Sequence, residues 1–164
     1  MKDSGWFGRL ICCLAGYLIT SFSSYSQDLE QDSTTLIDLF VATNGGSWII
    51  SWDTTLATGT ISQWNGVTII TNRVTGLNLS NNQLNGTISD LSGLNKLASL
   101  DLSNNQLDGN LPTTLGSLPD LISLDLSNNQ LSGPIPSQLG SLTNLKTLIL
   151  NNNQLVGTIP AGIT

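Results

Sequence analysis

An eight-residue motif, Leu-x-Leu-Ser/Asn-Asn-Asn-Gln-Leu, occurs four times in the chain, starting at Leu77, Leu100, Leu124 and Leu148. Successive copies lie 23, 24 and 24 residues apart. A period of about 20–29 residues with this leucine spacing is typical of a unit made of one short strand and a returning arc. Such units bury apolar surface only against one another, so they stack. The motif therefore predicts a curved solenoid.

Within each unit, the leucine positions indicate which way the side chains face. The two leucines of Leu-x-Leu lie on the same side of a strand and the residue between them on the other. We therefore predict that both leucines point into the solenoid and that the middle residue lies on its concave surface. The recurring leucines of the return arc complete the interior; in the second unit these are Leu107, Leu111, Leu115 and Leu118.

Three other residue types recur at fixed positions and are predicted to serve the fold. An asparagine follows each strand, and a buried amide there satisfies backbone groups left unpaired where the chain bends. Glycine suits tight turns, and proline suits extended arcs that need no donor. The asparagines are Asn82, Asn105, Asn129 and Asn153, the glycines are Gly86, Gly109, Gly133 and Gly157, and the prolines are Pro112, Pro136 and Pro160.

The segment before the repeats predicts a helix and a strand. Ser33 to Ala42 has apolar residues at helical spacing, with Asp32 or Ser33 as its cap and Asn44-Gly45-Gly46 as its end. Three tryptophans follow, and Trp64 to Ile70 is predicted to be a turn that leads into a strand rich in β-branched residues. The tryptophans are Trp48, Trp52 and Trp64.

The first 26 residues have the pattern of a secretory signal peptide. Lys2 and Arg9 give a basic start, Leu10 to Ile19 is apolar, and Ser24-Tyr25-Ser26 is a small-x-small cleavage site. The apolar run is too short to span a bilayer, which takes about 20 residues. Both cysteines, Cys12 and Cys13, lie in this segment. The mature chain is therefore expected to contain no disulfide and to be secreted or displayed at the cell surface, without membrane insertion.

Charge and residue types exclude several functions. After residue 26 the chain has ten acidic and three basic residues, a net charge of −7. Nucleic acid and anionic membranes are therefore unfavourable partners. With no histidine, and no cysteine after residue 26, the mature chain lacks the groups for Ser-His-Asp and Cys-His catalysis or for thiolate and imidazole metal sites. We expect neither an enzyme nor a bound cofactor.

The repeats carry a further motif, Gly-x-Ile-Pro, at Gly133-Pro134-Ile135-Pro136 and Gly157-Thr158-Ile159-Pro160. With these residues the chain resembles the leucine-rich repeat family, in the extracellular subclass found in plant receptors. The cysteine-free flank is closer in style to secreted bacterial or algal members. The resemblance implies an α/β repeat fold with a parallel concave sheet, irregular or 3-10 convex arcs and an N-terminal helical cap.

The resemblance also implies an organisation in three parts. Residues 1–26 would be the signal peptide, 27–72 the cap, and 73–164 four leucine-rich repeats, of which the last is incomplete. In this family the concave face typically binds partners. A non-catalytic module that binds a protein, peptide or carbohydrate is therefore the expected function. The alternatives are a structural spacer or stalk, or a fragment of a receptor ectodomain; binding of ice or glycan surfaces is a weaker hypothesis.

The concave positions predicted to face outward are small and polar. They are Thr75, Gly76, Asn78 and Ser80, then Ala98, Ser99, Asp101 and Ser103, then Ile122, Ser123, Asp125 and Ser127, and finally Lys146, Thr147, Ile149 and Asn151. Of these, the candidate partner-binding residues are Asn78, Ser99, Asp101, Ser123, Asp125, Thr147 and Ile149. They include no aromatic residue or arginine, the usual anchors of an interface.

Two features of the repeats have both a chemical and an ordinary interpretation. Asp101 and Asp125 have the same place in adjacent units, so they either share a calcium ion or are solvated acids of ordinary repeat sequence. Asn78-Leu79-Ser80 and Asn85-Gly86-Thr87 match the N-glycosylation pattern. Asparagine is abundant in every repeat, so chance matches are also expected.

Overall fold

The computed structural model describes residues 22–54 and 58–163. Helix α1 (Phe22–Ala42) precedes the strands, and the 3-10 segments Gly45–Ser47 and Thr58–Gln63 lie between it and the first strand. Two more 3-10 segments, Thr113–Ser117 and Ser137–Ser141, lie between later strands. The strands of the described residues are β1 (Val67–Ile70), β2 (Arg73–Asn78), β3 (Asn85–Thr87), β4 (Ser99–Asp101), β5 (Gln106–Asp108), β6 (Ser123–Asp125), β7 (Ser132–Pro134), β8 (Thr147–Ile149) and β9 (Gln154–Val156).

The main sheet has five strands in the order β1-β2-β4-β6-β8. Its last four strands are parallel and in register, so that the first leucines of the four motifs, Leu77, Leu100, Leu124 and Leu148, stand side by side. This confirms the predicted parallel sheet. Strand β1 runs antiparallel to β2 and joins it through Thr71 and Asn72, which both have positive φ, as two-residue hairpin turns require.

The return arcs form a second, discontinuous layer. Strands β3 and β5 pair in parallel, as do β7 and β9, and the 3-10 segments Thr113–Ser117 and Ser137–Ser141 continue the arcs. Pro112 and Pro136 each precede a 3-10 segment, where a missing N–H costs nothing. The predicted 3-10 arcs are confirmed.

The interior is a continuous column of leucines, and the leucines of its last layer are less buried than the others. Leu121, Leu124, Leu126 and Leu131 in the third unit are fully buried, whereas their equivalents Leu145, Leu148, Leu150 and Leu155 in the fourth are only partly buried. An open cavity of about 760 Å³ lies against this last layer. The fourth layer is therefore packed by the described residues on one side only.

Helix α1 begins eleven residues before the predicted start at Ser33, so that prediction was wrong. Asp32 and Ser33 lie in the middle of the helix and do not cap it. The Asp32 carboxylate instead accepts hydrogen bonds from Arg73 and from the Val74 amide. A tertiary partner has outweighed the local preference of aspartate for a cap. The predicted end is confirmed, since Asn44 has φ 54°.

The predicted signal peptide, residues 1–26, lies outside the described residues except for its last five, which are part of α1. Cys12 and Cys13 also lie outside them. Within the part of the chain that the structure describes, no helix is both long and apolar enough to cross a bilayer.

Four aromatic rings pack at the N-terminal end of the leucine column. Trp52 stacks on Trp64 with ring centroids 4.8 Å apart, and Trp48 meets Trp52 edge-on at 4.9 Å. Phe40 of α1 contacts Trp48 at 5.1 Å. The three tryptophans are buried in the same cluster as the first leucines. The aromatic rings thus supply the apolar surface that a preceding repeat would otherwise give.

Three of the four recurring asparagines, Asn105, Asn129 and Asn153, make the predicted backbone hydrogen bonds at the bend and so form a ladder along the solenoid. The Asn82 amide instead bonds both backbone groups of Ile50, at 2.6 and 3.1 Å. The Asn129 amide nitrogen donates to the carbonyls of Leu102, Leu126 and Ser127 at 3.0–3.2 Å, and its oxygen accepts from the Leu107 amide at 3.0 Å. Asn105 and Asn153 make equivalent bonds in their own units. Each of these three amides joins the bend of its own unit to the preceding one.

Replacing Asn129 by alanine is expected to lower the free energy of unfolding by about 2–3 kcal/mol. The substitution leaves backbone groups of a buried bend unpaired, at about 1–3 kcal/mol for each group that water cannot reach. Gln130→Ala, at the exposed neighbouring position, is the control and should change stability by less than about 0.5 kcal/mol. Urea unfolding followed by circular dichroism gives both values, and equal losses would contradict a structural role for the ladder.

Candidate binding surface

The concave sheet arranges the seven candidate residues, together with Gly76, in two rows across the strands. One row contains Gly76, Ser99, Ser123 and Thr147, and the other contains Asn78, Asp101, Asp125 and Ile149. Neighbours in a row are about 4.8 Å apart, the spacing of paired strands. The repeat period had predicted this alignment, and the structure brings all seven residues onto one surface.

The two carboxylates of the second row are engaged within their own turns. Asp101 accepts a hydrogen bond from the Ser103 amide at 3.0 Å, and Asp125 accepts from the Ser127 amide at 2.9 Å and its hydroxyl at 2.7 Å. Asn78 bonds Ser80 in the same way. Among the described residues there is no group of three or more His, Cys, Asp or Glu side chains that could hold a metal. The contacts of both acids are with the serine two residues later in the same turn.

The remaining candidates differ in exposure. Ser99 and Thr147 are exposed, whereas Ser123 and Ile149 are half-buried. Ile149 breaks the polar second row, since the three preceding units have Asn or Asp at that position. The surface therefore offers short hydroxyls, fixed carboxylates and one aliphatic side chain.

A second concave feature lies beside these rows, where the chain enters the strands. A groove of about 430 Å³, the rim groove, is lined by Thr71, Arg73, Thr75, Lys96, Ala98, Asp120, Ile122, Asn144 and Lys146. Thr75, Ala98, Ile122 and Lys146 were among the predicted outward positions. The others were missed, although Arg73, Lys96, Asp120 and Asn144 recur at the same 23, 24 and 24 residue spacing and this could have located them.

Two of the three cations in the rim groove have acidic partners. Arg73 donates two hydrogen bonds to the buried Asp32, at 2.8 and 3.0 Å. That hydrogen bond, with the attraction of Asp32 and Asp28, raises the pKa of the Arg73 guanidinium above its ordinary value despite partial desolvation. Lys96 pairs with Asp120 at 3.1 Å, and both side chains are about half exposed.

The fold and its concave surface define a repeat solenoid that is closed at its first turn by a helix and an aromatic cluster. Residues 73–94, 96–118, 120–142 and 144–164 match the Leucine Rich Repeat pattern. The chain belongs to the leucine-rich repeat family.

The chain is similar to solved structures of plant ectodomains. The BIR2 ectodomain from Arabidopsis thaliana is 38% identical over 80% of this chain and 72% of its own, with a TM-score of 0.72. In the BIR3–SERK2 complex from the same plant, the similar chain is 36% identical over 77% of this chain and 74% of its own, with a TM-score of 0.66. These matches confirm the resemblance to the plant-receptor type.

A much longer chain also matches. The PEPR1–AtPEP1 structure is 30% identical over 82% of this chain, with a TM-score of 0.70, but this chain covers only 19% of that one. The chain therefore spans about a fifth of the length of that relative. No curated protein matches the sequence.

Proposed function

We propose that the protein is a non-catalytic binding module of a secreted or cell-surface protein, and that it holds a protein or peptide partner against its concave sheet. The observation that carries this proposal is the alignment of outward positions into continuous rows over four in-register parallel strands. A partner that lies across the strands therefore contacts equivalent residue positions in successive repeats. Recognition then depends on shape and hydrogen bonding.

The related structures support a partner of this class. PEPR1 is in a structure with AtPEP1, BIR3 is in a complex with SERK2, and the peptide hormone receptor RGFR1 is in complex with RGF2. RGFR1 is 42% identical over 53% of this chain, with a TM-score of 0.51. The ectodomain character of the relatives and the signal peptide predicted for residues 1–26 both support export. We assign residues 27–72 to the cap and 73–164 to the binding repeats.

The rigidity of the sheet is also favourable for binding. Each bend behind the strands is tied by an asparagine, so the outward side chains are held in fixed positions. A surface that is already ordered loses less conformational entropy when it binds. The short side chains of Ser99, Ser123 and Thr147 leave the sheet open to an extended backbone. These features suit a partner that contributes its own large side chains.

Replacing Ser123 by tryptophan is expected to abolish partner binding without unfolding the protein. Ser123 lies between Ser99 and Thr147 in the first row, so an indole there covers the middle of the sheet. The control is Ser117→Trp, on an exposed position of an outer 3-10 segment. Peptides selected by display on the wild-type protein are measured by fluorescence anisotropy against both variants, with circular dichroism as the test of folding.

Peptides that bind the wild type and Ser117→Trp but lose at least tenfold in affinity for Ser123→Trp support the proposal. If display selects no peptide and no secreted partner is enriched on the protein, the spacer function is favoured instead. Self-satisfied carboxylates at Asp101 and Asp125 and the lack of aromatic anchors in the rows fit that alternative.

A further inference from the structure

All the cations in the described part of the chain lie in one place. Residues 22–54 and 58–163 contain three basic side chains, Arg73, Lys96 and Lys146, and all three line the rim groove. The ten acidic residues of the same part lie between Asp28 and Asp125, and only Asp120 is in the groove lining. Among the described residues, the positive charge is thus concentrated in the rim groove.

The three cations differ in their availability to a partner. Arg73 is held by the buried carboxylate of Asp32. Lys96 makes an exposed pair with Asp120, and such pairs are worth only about 0–1 kcal/mol, so an incoming carboxylate can replace Asp120. The amine of Lys146 is exposed and has no ion pair or hydrogen bond with the described residues. Lys146 is therefore the most available cation, with Lys96 second.

The floor between these two lysines is apolar. Ile122 is 42% exposed and stands between Ala98 and Lys146 in the column of residues that precede the strands. Lys96 and Lys146 belong to the second and fourth units, so their strands are separated by two steps of about 4.8 Å each. An extended peptide advances by about 3.3 Å per residue. Lys96 also lies two residues before the position level with Lys146, so the two lysines are roughly 12 Å apart. Residues i and i+4 of an extended peptide span this distance, and residue i+2 between them faces the same side.

We infer that the rim groove seats an extended acidic peptide segment of the partner. One carboxylate pairs with Lys146, a second replaces Asp120 at Lys96, and an aliphatic side chain between them covers Ile122. This inference rests on the proposed binding function and specifies the partner's chemistry. A polyanion such as nucleic acid is a poorer occupant, because the rest of the protein carries net negative charge and repels a long anionic chain.

The test uses two fluorescein-labelled synthetic peptides with glycine and serine flanks. One has Asp-Ser-Leu-Ser-Asp at its centre and the other has Asn-Ser-Leu-Ser-Asn, so that the leucine and both flanking side chains face the same side of the extended peptide. We expect the acidic probe to bind the full chain about threefold to tenfold more tightly at low salt, the range given by one or two exposed charge pairs. The difference should shrink as sodium chloride is added, because exposed pairs are screened.

Lys146→Gln should remove most of the preference for the acidic probe. Gln138→Glu is the matched control, since it changes the net charge by the same amount at an exposed position on an outer 3-10 segment. Ile122→Ser should weaken both probes, whereas Val156→Ser, at an exposed aliphatic residue of β9, should weaken neither. Unchanged circular dichroism spectra establish that the variants remain folded.

Equal affinity for the two probes, binding of neither, or a loss with Gln138→Glu as large as that with Lys146→Gln would overturn the inference. The proposed function is judged separately, by the display-selected peptides. Peptides that are sensitive to Ser123→Trp but not to Lys146→Gln would leave the concave sheet as a binding surface and remove the rim groove from it.

Discussion

Asp32→Ala is expected to lower the free energy of unfolding by about 3–5 kcal/mol, which is the typical cost of removing one partner of a buried ion pair. The Asp32 side chain is 0% exposed. It accepts hydrogen bonds from two nitrogens of Arg73, at 2.8 and 3.0 Å, and from the Val74 amide at 2.7 Å. Its removal takes the two short hydrogen bonds from the guanidinium, which keeps only a 3.4 Å bond to the Gly93 carbonyl and the exposed Asp28. It also leaves the Val74 N–H without this acceptor and removes the polar link between α1 and the first strand of the parallel sheet.

The matched control is Asp28→Ala. Asp28 approaches the same guanidinium at 3.8 Å, but its side chain is 59% exposed. Exposed pairs contribute about 0–1 kcal/mol, so this variant should be close to wild type in urea unfolding. Similar losses for the two variants would mean that simple charge balance, not the buried hydrogen bonds, holds α1 to the sheet.

The pH dependence of this contact follows from the sign of the Arg73 shift. The pKa of Arg73 is raised in the folded protein. A base with a raised pKa adds stability that is fully present below its unfolded pKa and is lost only as the pH rises through the folded value. The contribution of Arg73 is therefore constant across neutral pH and disappears only in strong alkali.

Leu124→Ala is also expected to have a large effect, lowering the free energy of unfolding by about 2–5 kcal/mol. Leu124 is 0% exposed and is enclosed between the leucines of the second and fourth units. Truncation removes its transfer free energy and leaves a cavity that a rigid, stacked column cannot close. Thermal or urea unfolding of the variant measures the loss.

Leu148→Ala is the control for this prediction. It makes the same truncation at the next position in the same row of leucines. Leu148 is only partly buried and borders the open cavity at the end of the column. Its truncation should therefore cost less than about half as much as that of Leu124. Equal losses would indicate that the last leucine layer is covered in solution, which a dependence of the unfolding midpoint on protein concentration would detect.

Several features of the fold were predictable because they depend on a position within the repeat. Asn81, Asn104, Asn128 and Asn152 all have φ between 55° and 58°, and the glycines of the four units, Gly86, Gly109, Gly133 and Gly157, also have positive φ. The same local sequence adopts the same local conformation in each unit. Strand register followed for the same reason, since units of nearly equal length place equivalent residues side by side.

The positions of the residues in the concave rows could be predicted from the sequence, but their hydrogen bonds could not. The period was enough to align Asp101 with Asp125, as the register confirms. It did not indicate that each carboxylate would bond the serine two residues later. These hydrogen bonds depend on how the backbone turns after the strand. Their binding role stays a prediction, as do the roles of the other five candidate residues.

The repeat pattern was sufficient to predict the parallel sheet, the leucine interior, the buried amides at the bends and the turns. Contacts between residues of one unit and the next suffice for these, and the repeat copies them. Three features required the three-dimensional structure: the start of α1, the Asp32–Arg73 contact across 41 residues and the stacking of the tryptophans. These contacts join residues outside the repeated motif, so no period in the sequence records them.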